Sequence, residues 1–320
     1  MKKRSEHDGR LMHYEFNNVE KLLAEKHGES FLEYRKKWDF HRVNLVKAEN
    51  PLYLVLDANT YCNLKCKMCE KNYYSKRKND ISMETIDKLV DECREMKLPS
   101  LLVGASAECL LNPDIKEILE KISTIGLMDK FLITNGTYLD DSIVDLLIKL
   151  EFERVYISLD AVTPETYSKI RGGNLQRVEQ NIENLLRRKQ EEGKNLPVVR
   201  VSFVKQKENE MEVDDFIDKW KDKVDIIDFQ EMIDFSNIND LQEKPNIPYK
   251  CEAPFTTLHV DSYGNIYPCC TFYSKYFCLG NIQDMTLKEA WNCDKMNNLR
   301  NSILEGNMPL PCRNCVTQKG

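Results

Sequence analysis

The 320-residue chain has a formal net charge of −6, and 42% of its residues are hydrophobic and 31% charged. This balance is typical of a globular protein with a sizeable core, and it excludes a collagenous, low-complexity or mostly disordered chain. Because no apolar run approaches the roughly 18 residues of a membrane span and no secretory signal follows the basic start, we expect a soluble, cytoplasmic protein, and its negative charge argues against a nucleic-acid substrate.

Residues 1–50 are polar and helix-compatible. Apolar residues recur at Val19, Leu22 and Leu23 and again within 31–38. This spacing predicts a helical N-terminal extension.

From residue 51 to about 234, buried strands alternate with amphipathic helices. Strands are predicted at 52–58, 101–104, 131–134, 155–159, 198–204 and 226–230. Such alternation implies parallel pairing, right-handed crossovers and a ligand site at the carboxyl ends of the strands. The predicted fold class is α/β, a partial (β/α)6 barrel of the TIM type.

A different pattern begins after residue 234. Pro245 and Pro248 mark a linker, and strands at 255–260 and 265–267 flank a turn at 261–264. These features predict a β-hairpin, followed by helices from about 286 to 304. We therefore predict a small second domain at 245–320.

Three of the twelve cysteines stand close together in the loop after the first predicted strand, as Cys-x3-Cys-x2-Cys: Cys62, Cys66 and Cys69. In a reducing compartment such a cluster indicates metal or redox chemistry rather than disulfides. Three thiolates are too few to close a structural zinc site, but they suit a four-iron four-sulfur (4Fe-4S) cluster with one open iron. A zinc loop is the alternative.

This motif, its position and the six strand–helix units resemble the radical S-adenosylmethionine (radical SAM) superfamily. The resemblance implies that S-adenosylmethionine binds the open iron. It also implies that an electron from the cluster then cleaves the cofactor to a 5'-deoxyadenosyl radical, which abstracts hydrogen from a substrate.

The same resemblance implies a set of cofactor-binding residues. The segment 104–114 resembles the superfamily's Gly-Gly-Glu-Pro segment, although Ser106 and Ala107 replace the glycines and Cys109 replaces the proline. The positions that match cofactor contacts in relatives are Met68, Glu108, Asn135, Ser158, Asp160 and Arg171. For Asp160 and Arg171 the alternative is that they cap or pair near a helix start.

Four further cysteines follow the spacing Cys-x17-Cys and, after a long gap, Cys-x2-Cys: Cys251, Cys269, Cys312 and Cys315. They resemble the SPASM and twitch appendages of the superfamily, and the twitch spacing is similar to that of 2-deoxy-scyllo-inosamine dehydrogenases. The resemblance implies a second, fully ligated 4Fe-4S cluster that transfers electrons. A structural zinc is the alternative. Cys270 is an alternative to Cys269 as the cluster ligand. The Gly-x4-Cys interval from Gly264 favours Cys269.

The resemblance implies a radical SAM oxidoreductase that oxidises a sugar, cyclitol or nucleotide sugar by two electrons. The alternative is a maturase of ribosomally made peptides, although residues 1–50 are short for a peptide-binding domain. A third hypothesis is a non-catalytic metal scaffold. The expected partners are the substrate and an electron donor such as flavodoxin or ferredoxin. No catalytic base is identified, and His259 in the hairpin is expected to be structural.

Overall fold

The computed structural model describes residues 10–73, 77–236, 238–247 and 250–316, so that residues 1–9 and Pro248 lie outside the described part. The strands are β1 (Arg10–Glu15), β2 (Tyr53–Leu56), β3 (Ser100–Val103), β4 (Asp129–Thr134), β5 (Arg154–Ser158), β6 (Val198–Lys205), β7 (Ile226–Glu231), β8 (Thr257–Val260), β9 (Asn265–Tyr267) and β10 (Gly280–Asn281). The α-helices are α1 (Val19–His27), α2 (Glu29–Asn44), α3 (Met83–Glu95), α4 (Ile115–Ser123), α5 (Asp141–Lys149), α6 (Pro164–Arg171), α7 (Leu175–Glu191), α8 (Val213–Trp220), α9 (Ala253–Thr256), α10 (Leu287–Asn292), α11 (Asp294–Leu304) and α12 (Leu310–Val316).

The described strands form one ten-stranded sheet in the order β1-β7-β6-β5-β4-β3-β2-β8-β9-β10. Strands β2 to β7 pair in parallel with one another, with a helix after each strand from β2 to β6. The sheet is open, since β1 and β10 are its two edges. This confirms the predicted α/β partial barrel.

Helix α3 shows how the sequence produces these units. Ser82 accepts a hydrogen bond from the Thr85 N–H and so caps the helix start. The buried apolar side chains repeat every three or four residues: Ile86, Leu89, Val90 and Cys93. This stripe packs in the main hydrophobic core, where each fully buried aliphatic side chain contributes roughly 1.5–3 kcal/mol.

The two faces of the sheet differ in character, as β5 illustrates. Val155 and Ile157 are fully buried in the main core, whereas Arg154, Tyr156 and Ser158 are half-buried. The registers place on the same side as Tyr156 a set of residues that we call the inner face, most of them polar or aromatic: Tyr53, Val55, Leu102, Phe131, Ile133, Tyr156, Ser158, Arg200, Ser202 and His259. Half-buried polar groups on this face are available to a ligand.

The N-terminal extension is not only helical. Helices α1 and α2 form, but they follow strand β1, which pairs antiparallel with β7. The segment extends because the buried His13 ring is hydrogen-bonded to Asp228, and the Tyr14 ring packs edge-on against Phe229 at 6.2 Å. These partners lie more than 200 residues away, so local helical propensity could not reveal them.

The predicted hairpin forms as β8 and β9, and it joins the main sheet. Strand β8 runs parallel to β2, with Val55 opposite His259 and Leu56 opposite Val260. Gly264 permits the hairpin turn with a φ of +81°. The C-terminal part of the chain therefore starts next to β2, the strand that leads into the loop with Cys62, Cys66 and Cys69.

No helix in the described residues is long and apolar enough to cross a membrane.

Candidate active site

The first cysteine set lies in the loop after β2, at the carboxyl ends of the parallel strands, and its three thiols are half-buried: Cys62, Cys66 and Cys69. The Cys69 N–H donates to the Cys66 carbonyl at 3.0 Å, which folds the second half of the motif into a tight turn. The Lys67 N–H donates to the Ile170 carbonyl at 2.7 Å. This bond fastens the loop to helix α6.

Two polar side chains approach the sulfur atoms of this set. The Asn135 Nδ2 lies 3.6 Å from the Cys62 Sγ, and the Arg171 Nη1 lies 3.7 Å from the Cys66 Sγ. Burial raises the pKa of the Cys66 thiol to about 11, while the Arg171 guanidinium opposes that shift. Because hydrogen-bond donors stabilise cluster sulfur and tune its potential, these contacts suit an iron–sulfur site.

The donor chemistry of the loop fits a 4Fe-4S cluster with one open iron. Its three thiols are free of disulfides and lie close enough for the charges of Cys62 and Cys69 to raise the pKa of Cys66, after the larger effect of burial. In the described part of the chain, no three Cys, His, Asp or Glu side chains are already arranged as a metal-binding group. The assignment of each ligand therefore remains a prediction that rests on donor chemistry.

Glu108 lies behind this loop and is 1% exposed. Its carboxylate accepts hydrogen bonds from the Asn135 N–H at 2.6 Å and from the Thr134 hydroxyl at 2.7 Å. Burial raises the pKa of Glu108, although these two donors partly offset the shift. A buried carboxylate of this kind gains stabilisation from an ammonium group, which is the role that the sequence resemblance implies.

The backbone that carries Glu108 depends on Gly104. Its φ is +90°, and a Cβ atom there would lie 2.6 Å from the Ile133 carbonyl oxygen and 2.7 Å from the Cys109 Sγ. Only glycine fits this approach. Cys109 itself is buried beside Ile133, so it packs in the core rather than among the half-buried thiols.

Asp160 and Arg171 pair with each other at the same end of the sheet. The Arg171 Nε donates to the Asp160 Oδ2 at 2.7 Å, and the Val204 N–H donates to the other oxygen at 2.6 Å. Both side chains are buried. Arg171 also lies beside Cys66. The Asp160–Arg171 pair, which the sequence offered as an alternative to cofactor binding, therefore forms next to the first cysteine set.

Contacts join six of the predicted residues into two groups, Cys62 with Asn135 and Glu108, and Cys66 with Arg171 and Asp160. Ser158 and Met68 lie at the same end of the sheet. Ser158 ends β5 on the inner face, opposite Ser202. The Met68 Sδ lies 3.8 Å from the Gln206 Nε2, which follows β6. All these residues thus gather at the carboxyl ends of the strands.

The second cysteine set also converges in space: Cys251, Cys269, Cys312 and Cys315. Burial raises the pKa of Cys269 to about 12, and the neighbouring Cys251 and Cys315 raise it further. Burial likewise raises the pKa of Cys312, with added effects from the other three thiols. The long sequence gap between the two halves of this set is therefore closed by the fold, as the twitch spacing implies.

Cys269 and its neighbour Cys270 have different surroundings. Cys269 is close to the other thiols of the second cysteine set and to the Thr271 hydroxyl at 3.5 Å, whereas Cys270 is exposed. This arrangement favours Cys269 as the ligand.

A cavity of about 150 Å³ is lined by residues next in sequence to a member of each cysteine set, and we therefore call it the cavity between the two cysteine sets. Glu70, which follows Cys69, lines one side, and Cys270, which follows Cys269, lines another. Its remaining lining includes Ser106 and His259. A larger cleft of about 410 Å³ lies at the opposite ends of the strands, where Pro99 and Met128 precede β3 and β4, so it is remote from these thiols.

The sequence analysis missed one buried pair in this region. The His259 Nε2 lies 2.9 Å from the Asp57 Oδ2, and the other Asp57 oxygen accepts the Ser106 N–H at 2.9 Å. Burial alone would raise the pKa of Asp57, but His259 and the Ser106 N–H lower it to about 2. The signal in the sequence is an acid directly after the first strand; its partner follows 202 residues later, and only the β2–β8 register brings them together.

Comparisons with known proteins show which families the chain resembles. The profile of the Radical SAM superfamily matches residues 58–219, half of the chain, and that of an iron–sulfur cluster-binding domain (SPASM) matches residues 251–316. A tungsten-containing aldehyde ferredoxin oxidoreductase cofactor-modifying protein of Pyrococcus furiosus is 22% identical over 76% of this chain and 81% of its own length. A probable GTP 3',8-cyclase of Methanothermobacter marburgensis is 33% identical over 45% of each chain.

Two solved structures share the fold. BtrN in complex with AdoMet and 2-DOIA is 17% identical with a TM-score of 0.54, and the match covers 80% of this chain and 87% of BtrN. Streptococcus suis SuiB bound to its precursor peptide SuiA is 18% identical with a TM-score of 0.60, covering 84% and 70%. The chain belongs to the radical SAM superfamily, as an enzyme with a SPASM domain whose cofactors are S-adenosylmethionine and 4Fe-4S clusters.

Proposed function

We propose that this enzyme oxidises a carbinol group of a sugar, cyclitol or nucleotide sugar by two electrons, and that the second cluster accepts one of them. The cavity between the two cysteine sets carries the proposal. It is bordered by residues adjacent to both sets, Glu70 and Cys270, so a substrate held there lies between a site of hydrogen abstraction and an electron acceptor. Its volume of about 150 Å³ favours a small ring over a large ligand.

The first cysteine set is assigned to the cluster that binds S-adenosylmethionine, which supplies hydrogen-atom abstraction when it is bound. Glu108 is assigned to the ammonium group of the cofactor, because its carboxylate is buried and lies beside Asn135. Arg171 is assigned to the cofactor carboxylate. The Arg171 guanidinium is always charged, and Asp160 compensates this charge in its buried position.

The inner face offers polar groups that suit a hydroxylated substrate. The Arg200 Cζ lies 3.7 Å above the Tyr156 ring centroid, and its Nη1 donates to Asp228 at 2.7 Å. Ser158 and Ser202 stand side by side above this pair of residues. Such groups orient hydroxyls by hydrogen bonding, whereas an apolar barrel interior would not.

Maturation of a peptide is the second candidate. It is favoured by the fold shared with SuiB, which binds the precursor peptide SuiA. The open sheet would leave room for an extended chain. For either substrate, a flavodoxin or ferredoxin is the proposed electron donor.

The test is isotope transfer in the anaerobically reconstituted enzyme. The probes are 2-deoxy-scyllo-inosamine and inositol, each deuterated at its carbinol carbons, and peptides deuterated at their Cα atoms. We expect deuterium from a carbinol probe in 5'-deoxyadenosine together with the corresponding ketone, and the Cys66→Ala variant should form neither. Transfer from peptides alone would reverse the ranking, and absence of 5'-deoxyadenosine with every probe would overturn both substrate classes.

A further inference from the structure

The Asp57–His259 pair has the geometry of an oriented base. Both side chains are more than nine-tenths buried. One Asp57 oxygen accepts the N–H groups of Ser106 at 2.9 Å and Ala105 at 3.2 Å, which favours the ionised carboxylate. An ionised carboxylate beside Nε2 requires that this nitrogen carry the proton, so the lone pair of the imidazole is on Nδ1.

The Nδ1 atom of His259 is buried and lacks a hydrogen-bond partner within the described residues. A buried ring nitrogen normally has a partner, and leaving one unmatched costs about 1–3 kcal/mol. The same side chain lines the cavity between the two cysteine sets. An unmatched acceptor on a side chain that lines a cavity is suited to a ligand bound there.

The register of the sheet explains why His259 reaches this place. It lies opposite Val55, on the inner face, one residue pair before the end of β2. Tyr267, opposite it on β9, packs against the ring at 5.7 Å and fixes its plane. The histidine therefore stands on a rigid strand pair and not on a loop.

We propose that His259, oriented by Asp57, accepts the substrate proton during the oxidation, a role that rests on the proposed function. In the balanced reaction the carbinol loses a hydrogen atom from carbon to the cofactor-derived radical and a proton from oxygen to His259 Nδ1. One electron then passes to the oxidised second cluster, and the C–O bond becomes C=O. Asp57 is a positioning residue, since it acts through the histidine.

The other titratable groups that line the cavity are Glu70, Asp261, Tyr267, Cys270 and Lys275. Three of them are less suited to this role: Asp261, Tyr267 and Lys275. The Asp261 carboxylate already accepts hydrogen bonds from the Asn265 N–H at 3.0 Å and the Tyr267 hydroxyl at 3.1 Å. Burial raises the pKa of Tyr267, which keeps its hydroxyl protonated. Lys275 donates to Asn239 at 2.8 Å.

The experiment uses 15N-histidine-labelled, reconstituted enzyme, in which long-range 1H–15N spectra show only five histidines. We expect an unprotonated Nδ1 and a protonated Nε2 for His259, assigned by its loss in His259→Gln, and Asp57→Asn should disturb this tautomer. A protonated Nδ1 in the wild type at neutral pH would overturn the inference.

The second readout separates hydrogen abstraction from proton loss, with the deuterated carbinol probes. His259→Gln should still place deuterium in 5'-deoxyadenosine while ketone formation falls about 100-fold, as for loss of a general base. The matched control is His27→Gln, which should behave as wild type. His27 lies away from this cavity, and its Nε2 is 3.0 Å from the Glu153 Oε1.

The outcomes distinguish this inference from the proposed function. If His259→Gln shows the same deuterium transfer and the same ketone yield as the wild type, the role of His259 is overturned and the proposed function stands. No transfer from any carbinol in the wild type overturns the proposed function, and the role of His259 falls with it.

Discussion

Arg171 donates from Nε to the Asp160 Oδ2 at 2.7 Å, and both side chains are buried where the strands end. Arg171→Met should destabilise the protein by about 3–5 kcal/mol, because it leaves the Asp160 charge buried and uncompensated. The double variant Asp160→Asn/Arg171→Met should regain part of this loss. Anaerobic chemical denaturation measures both, and equal losses in the single and double variants would show that the charge pair is not the cause.

Gly104 and Gly126 allow a matched test of the backbone that carries Glu108. Both have a strongly positive φ, +90° and +88°, but a Cβ at Gly126 meets nothing within 4 Å. Each substitution to alanine should cost about 1–3 kcal/mol from backbone strain. Gly104→Ala should lower the free energy of unfolding by clearly more, because its new Cβ also collides with Ile133 and Cys109. Similar unfolding midpoints for the two variants would refute the close approach.

Glu108→Gln should weaken the binding of S-adenosylmethionine about 10- to 100-fold. The amide keeps the shape of the buried side chain but loses the charge, and its NH2 group cannot accept a hydrogen bond as the second carboxylate oxygen does. A hydrogen bond to a charged group contributes roughly 1.5–3 kcal/mol. Equilibrium binding to the reconstituted enzyme measures the change. Glu117→Gln, on the exposed face of helix α4, is the control. An unchanged affinity in Glu108→Gln would remove the ammonium assignment.

Iron content tests the second cysteine set. Two 4Fe-4S clusters give about eight iron atoms per chain, and Cys269→Ala or Cys251→Ala should lower this to about four. Cys270→Ala should keep about eight, since Cys270 is exposed while Cys269 faces the other thiols. The reverse result for Cys269 and Cys270 would exchange their roles, and four iron atoms in the wild type would exclude the second cluster.

The Asp57 carboxyl should make stability depend on pH. Its pKa is about 2 in the folded protein against an ordinary 3.8, so its contribution is present above pH 4 and is lost as the pH falls through 2. We expect Asp57→Asn to be less stable than the wild type by about 2 kcal/mol at pH 7. Denaturation of the metal-free chains should show this difference shrinking below pH 4, and a constant difference down to pH 2.5 would argue against the pairing with His259.

The sequence predicts what local spacing encodes. Cys62, Cys66 and Cys69 stand in one loop, and the alternating strands before and after them predict the partial barrel that the structure has. Glu108 is also predictable, because it lies in a short segment after a strand. Each of these signals is contained within a few neighbouring residues.

Long-range pairings were not predictable in the same way. The β1–β7 pair depends on contacts such as His13 with Asp228, and the β2–β8 register alone brings Asp57 to His259. Because side chains alternate across a strand, a shift of one residue would turn His259 away from the inner face. No local pattern in the sequence fixes that register.

The most direct test of the account is the stoichiometry of a single turnover with a deuterated carbinol substrate and the reduced, reconstituted enzyme. We predict one ketone for each deuterated 5'-deoxyadenosine in the wild type, and deuterated 5'-deoxyadenosine with little ketone when Cys269→Ala removes the electron acceptor. Deuterated 5'-deoxyadenosine without any ketone in the wild type, or equal ketone yields in the wild type and Cys269→Ala, would contradict a two-electron oxidation through the second cluster.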